Sequence, residues 1–251
     1  MPLSRRTALL ALPLLLTACS GRAPEAAPPA AAPTSAAPSP SPSPIDPRPR
    51  LAIAARDLAK TSYKIVQVDG DDKSVWQVHG PSRSLRVTPS GAPGGTIQIG
   101  PDRWITGVLE GGVLSGRNRW IKLPRSAGAP MPDVVAARLV AAATGLTETA
   151  PGTFTGTVPE QVCRDVLLFG VDAAQVVLAE PSPETVRWAA TGTITVKLDG
   201  RGRFAGLAVS VRSADGRTTK RVAQTYSDYG KVGRPTKPPA KDVLDLPAFP
   251  K

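Results

Sequence analysis

Three consecutive stretches near the C-terminus alternate polar and apolar residues, and the turns joining them are tight enough to force antiparallel neighbours. In residues 189–198, Ile194, Val196 and Leu198 share one face, while Thr193, Thr195 and Lys197 share the other. Asp199-Gly200-Arg201-Gly202 turns the chain into residues 204–212, with Leu207, Val209 and Val211 on one face. Ser213-Ala214-Asp215-Gly216 turns it again into residues 218–227. A period of two gives a strand one face for a core and one for water, so this region predicts a three-strand meander.

The same period governs the first half of the chain. Residues 63–68, 74–79, 84–88, 96–99, 104–109 and 119–123 are short β segments between turn clusters such as Asp69-Gly70-Asp71-Asp72 and Gly111-Gly112. Leu85 and Val87 alternate with Ser84, Arg86 and Thr88; Ile97 and Ile99 alternate with Thr96 and Gln98. One apolar and one polar face is the signature of an antiparallel sheet half exposed to water. Residues 153–158 read as a further strand.

Two stretches follow the helical period instead. Residues 51–60 place Leu51, Ala54, Ala55 and Leu58 on one face, with Asp46 and Pro47 near the start as a cap. Residues 132–144 open on Pro132 and stop at Gly145, with an apolar stripe of Val134, Val135, Leu139 and Ala142. Ala141-Ala142-Ala143 leaves little bulk, so this helix either approaches a sheet closely or leaves space beneath it. Residues 160–169 predict another helix, and residues 173–178 fit helix or strand. The Pro- and Lys-rich tail closes on residues 242–246, which are expected to dock as a short segment.

The N-terminus decides location. Arg5 and Arg6 precede an apolar run over residues 8–16 that is too short to span a bilayer, the arrangement of a secretory signal over residues 1–18. The arginine pair fits both a general and a twin-arginine export signal. Residues 19–45 are almost entirely Pro, Ala and Ser and cannot bury enough surface to offset ordering. They predict a stalk reaching up to roughly 80 Å at about 3.1 Å per residue. The folded domain is then residues 46–251.

Formal charge is +11, and removing Arg5 and Arg6 with the signal lowers it to +9. An exported basic domain faces anionic lipid headgroups or anionic wall polymer, or carries the charge for solubility alone. Export and the lack of basic motifs interleaved with aromatics argue against nucleic acid. Arg117, Arg119, Lys122 and Arg125 gather at one turn and Arg212, Arg217, Lys220 and Arg221 at another, either as rim cations or as solvated hairpin ends.

The sequence offers no familiar catalytic constellation. Its single histidine, His79, excludes multi-His metal sites and reads as an exposed strand-end residue. Asp69, Asp71 and Asp72 lack the downstream glutamate of a calcium loop. Neither a nucleophile elbow nor a phosphate-cradling loop occurs. Cys163 reads as a small buried residue. We expect no enzymatic activity, no cofactor and no metal.

Leu16-Thr17-Ala18-Cys19 resembles the bacterial lipobox, which implies acylation of Cys19 and anchoring to the extracytoplasmic face of a membrane. Three further pieces resemble the LolA/LppX/LprG-type lipoproteins. They are Arg103-Trp104-Ile105 with Arg119-Trp120-Ile121-Lys122-Leu123-Pro124, the Leu198-Asp199-Gly200-Arg201-Gly202-Arg203 turn, and Tyr226-Ser227-Asp228-Tyr229-Gly230 before Pro238-Pro239-Ala240-Lys241-Asp242-Val243. The resemblance implies an α+β fold: a strongly curved antiparallel β-sheet, or half-barrel, with helices packed on its concave face. It also implies an apolar cavity for a lipid, glycolipid or acylated ligand. The candidates to line it are Trp76, Leu85, Ile97, Trp104, Trp120, Val135, Leu139, Ile194, Val196, Leu207 and Val209, and Trp188 is a fourth tryptophan beside a strand. A related group of the same fold senses envelope stress by binding a protein partner, and small side chains suit an open cavity or a filled one.

Overall fold

The computed structural model describes residues 45–91, 94–107, 119–123, 130–163 and 189–244. The signal, Cys19, the stalk, Arg117, Arg125, Trp188, most of the helix expected over residues 160–169 and all of residues 173–178 lie outside them.

Helix α1 (Arg48–Leu58) comes first, followed by β1 (Ser62–Asp69), β2 (Asp72–His79), β3 (Ser84–Ser90), β4 (Gly94–Ile99), β5 (Asp102–Gly107) and β6 (Trp120–Leu123). Helix α2 (Pro132–Ala142) then leads to β7 (Thr144–Ala150), β8 (Thr153–Pro159), β9 (Thr191–Leu198), β10 (Phe204–Arg212), β11 (Thr219–Ser227) and β12 (Val243–Leu244). The fold is mostly sheet. All twelve strands among the described residues join one sheet in the order β12-β6-β5-β4-β3-β2-β1-β11-β10-β9-β8-β7, and it does not close into a barrel. Every pairing is antiparallel except that of β12, which runs parallel to β6. The expected docking of the tail is this pairing.

Both helices begin where the sequence places their signals. Pro47 caps α1, and the Asp46 carboxylate accepts the Arg48 amide at 3.0 Å. The four apolar residues expected inward on α1 are all buried. Helix α2 is rotated from expectation: it buries Val135, Ala136, Leu139 and Val140, while Val134 is exposed. It also ends earlier, because Thr144 already belongs to β7 and pairs with Thr157 of β8. Strand β7 escapes the alternation rule because Leu146 is its single buried residue.

One cluster gathers the buried apolar residues of both helices with alternating residues of β1–β3 and β7–β11. Its members include Ile65, Val78 and Leu85 from the first half, and Phe154, Ile194, Val196, Leu207 and Val209 from the second. The side of the sheet carrying them is its core face. Gly80 fixes the start of this packing: a Cβ there would collide with the carbonyl oxygens of Leu58, Ala59 and Thr61 at the end of α1.

Candidate functional site

Eight of the eleven cavity candidates come together. Trp76, Leu85, Val135, Leu139, Ile194, Val196, Leu207 and Val209 all belong to the cluster shared by sheet and helices, and none is more than 8% exposed. Trp76 keeps its indole N–H satisfied by donating to the Ser74 hydroxyl at 2.9 Å.

The other three lie on the opposite face. Leu85 and Val87 on the core face pair with Gln98 and Thr96, so Ile97 stands beside Arg86 instead. Trp104 pairs with Ile97 and Lys122 with Trp104, which puts Trp120, two residues from Lys122, on that same outer face. Alternation shows which side chains share a side; only the register shows which side faces the core. The polar residues expected in water on β4 are therefore the inward ones, and Thr96, Gln98 and Arg103 are buried on the core face. Gln98 there reaches the Met131 sulfur at 4.0 Å, at the entrance to α2.

Two of the three outward residues are nonetheless covered, and Trp120 is half-buried. Ile97 is 1% and Trp104 5% exposed. Lys122 and Lys237 place their ammonium groups 5.8 and 6.0 Å from the Trp104 ring centre. The tail from β11 to β12 thus passes over this face, with Pro238 buried along the way. Of the rim cations, Lys122 pairs with Asp102 and Lys220 with Asp69, each at 3.3 Å. Arg217 lies 3.9 Å from Asp215, and Arg119, Arg212 and Arg221 are exposed.

Sequence reading missed a polar group inside the core. Tyr63 is wholly buried, with its ring 5.9 Å from Tyr226 and 5.8 Å from Tyr229. Tyr226 donates to the Gln224 side-chain oxygen at 2.7 Å, and Tyr229 to the Phe204 carbonyl at 2.6 Å. The Tyr63 hydroxyl has no hydrogen-bond partner among the described residues. Burial, then the neighbouring Tyr226 and Asp133, push its pKa well above the ordinary phenol value. Arg83, in the left-handed region at φ 48°, donates to the buried Asp133 carboxylate at 2.6 Å. That contact ties the β2–β3 connection to the first turn of α2.

Cys163 is buried, as expected. Burial raises its thiol to about 11, where a thiolate nucleophile is scarce. A Cβ on Gly192 would lie 2.6 Å from its sulfur, so the thiol fills space that only glycine leaves open. His79 is not the exposed residue expected. It is half-buried, and its Nδ1 faces the Ser82 hydroxyl at 2.7 Å and accepts the Ser82 amide at 3.3 Å, capping the short turn after β2.

Stretches far apart in sequence meet in two places. Where the β9–β10 turn meets the residues after β11, Arg203 donates through Nε and Nη2 to Asp199 at 2.9 and 2.7 Å and stacks over Tyr229 at 4.4 Å. At the β6 edge of the sheet, Val243 pairs with Trp120 while Lys237 covers Trp104. No helix among the described residues is long and apolar enough to cross a membrane. The chain matches no protein-family model and no curated protein.

Proposed function

We propose that the chain is a non-enzymatic lipoprotein, tethered through acylated Cys19 to the extracytoplasmic face of a membrane, that holds a lipid or acylated ligand in an apolar cavity. In this reading the sheet is strongly curved, a half-barrel resembling the LolA/LppX/LprG kind, with α1 and α2 on its concave face. One observation supports it: the core face is wider than the two helices described on it. Twelve strands at about 4.8 Å apart span roughly 50 Å. Each eleven-residue helix is about 16 Å long and about 10 Å across. Ile105, Ile121 and Leu123 continue the core face beyond the residues clustered with the helices. The helices themselves bring small side chains, Ala54, Ala55 and Ala136. An acyl chain is a fitting occupant for such a face, at about 0.8 kcal/mol per buried methylene.

A second reading has its own support. The eight clustered candidates are packed against one another, as in a core filled by its own side chains, which suits a sensor or interaction module that binds an envelope protein. Native mass spectrometry of the purified chain, with organic extraction of the same sample, separates the two. A co-purifying lipid of defined mass supports carriage. An apo mass that persists after incubation with membrane lipid overturns carriage and favours the interaction module.

A further inference from the structure

A cleft opens beside the apolar cluster, where the end of α1 meets the β9–β10 turn and the residues after β11. It encloses about 310 Å³ and is lined by Ala54, Asp57, Leu58, Lys60, Thr61, Arg201, Gly202, Arg203, Tyr229 and Gly230. The charges are unequal: Lys60, Arg201 and Arg203 stand against one carboxylate, Asp57. Lys60 donates to Asp57 at 2.7 Å, and both side chains remain substantially exposed. Arg201 has no ion-pair partner among the described residues. Arg203 is fixed before any ligand arrives, because Asp199 holds one edge of its guanidinium and Tyr229 supports its face. A planar cation held in this way loses little freedom on binding an anion, and its free edge matches two oxygens of a phosphate. Ala54, Leu58 and Tyr229 supply apolar wall beside the cations, so the cleft suits an anion with an apolar substituent better than a bare ion.

We propose that this cleft is a binding site for a phosphate group, with Arg203 as the fixed contact and Lys60 and Arg201 as mobile ones. The ligand's phosphate competes with Asp57 for Lys60 and gives Arg201 its counter-charge. The same chemistry is carried by free phosphate and by a phospholipid headgroup. The cleft shares Ala54 and Leu58 with the edge of the apolar cluster, but its cations lie outside it, and phosphate binding there does not require an acyl cavity.

The test titrates the full chain, by calorimetry, with inorganic phosphate and separately with dihexanoyl phosphatidic acid below its micelle concentration. A paired variant, Lys60→Ala with Arg201→Ala, removes two exposed cations without touching the core. A charge-matched control, Arg217→Ala with Arg221→Ala, removes the same charge from another hairpin. The expected result is saturable binding that weakens about tenfold in the cleft variant, with an unchanged Tm, and hardly at all in the control. Binding of both probes identifies a free-phosphate site; binding of the lipid analogue alone identifies a headgroup site. Either supports the inference. It is overturned if neither probe binds, if the cleft variant binds as the parent does, or if the control weakens binding equally.

Discussion

Two regions of the sheet obey the same alternation rule with different results. In β7–β11 and β1–β3 the apolar residues face the helices and form one cluster. In β4–β6 the register sends Ile97, Trp104 and Trp120 to the outer face and Thr96, Gln98 and Arg103 to the core face. The first half buries an apolar face under helices; the second buries both faces, the outer one partly under a proline-rich tail. The same local pattern thus has two different outcomes, decided by what lies above the sheet rather than by the strand itself.

The contrast can be broken by substitution. In the helix-covered half, Phe154→Ala removes a ring only 1% exposed and is expected to cost about 4 kcal/mol in chemical denaturation. In the other half, Ile97→Ala is expected to cost about 3 kcal/mol, like a core residue despite its outward direction. A cost below about 0.5 kcal/mol, the level of a surface change, would mean that the outer face is not truly sealed. Tyr63→Phe runs the other way. It deletes a buried hydroxyl without a partner among the described residues, so stability should hold or rise by about 1 kcal/mol. Lys237→Ala should cost about 0.5 kcal/mol and shift tryptophan fluorescence, because it uncovers one side of Trp104.

The smallest effects are those of pH. Burial opposes ionisation of Asp199, but hydrogen bonds from the Arg203 side chain and the Arg203 and Arg201 amides outweigh it and lower its pKa. Its contribution is therefore intact at neutral pH. It is lost as pH falls below about 4, where the unfolded chain takes up the proton first. Asp199→Asn should flatten that acid limb in a Tm-against-pH series. Cys163, raised to about 11 by burial, acts at the other end. Stability should decline from about pH 9 upward as unfolding releases the thiol proton, and Cys163→Ala should remove that part of the slope.

What the sequence made legible was local. The strands of both meanders, the inward residues of α1 and the buried Cys163 follow from period, turn chemistry and residue size. Strand β7 was hidden because the six mostly polar residues around Leu146 carry no alternation to detect. The rotation of α2 was hidden because both Val134 and Val140 satisfy a helical stripe, and packing alone chooses between them. The displaced candidates Ile97, Trp104 and Trp120 needed the β3–β4 register, a pairing that no single strand encodes. The cationic cleft needed Lys60, Arg201, Arg203 and Tyr229 to converge from three separate segments.

The strand order also has a consequence for how the chain comes to be folded. Strands β1–β6 form one continuous meander and β7–β11 another, and they touch along a single seam, β1 against β11. The Gln67–Gln224 hydrogen bond across it joins residues 157 positions apart. Every other antiparallel pairing links strands that neighbour each other in the sequence, so each half can assemble on its own. The seam must wait for nearly the whole domain and bears the largest loop-closure cost. Two early half-sheets, each exposing an unpaired edge until the last strands arrive, make the join the slow step of maturation and the point where a truncated chain would aggregate.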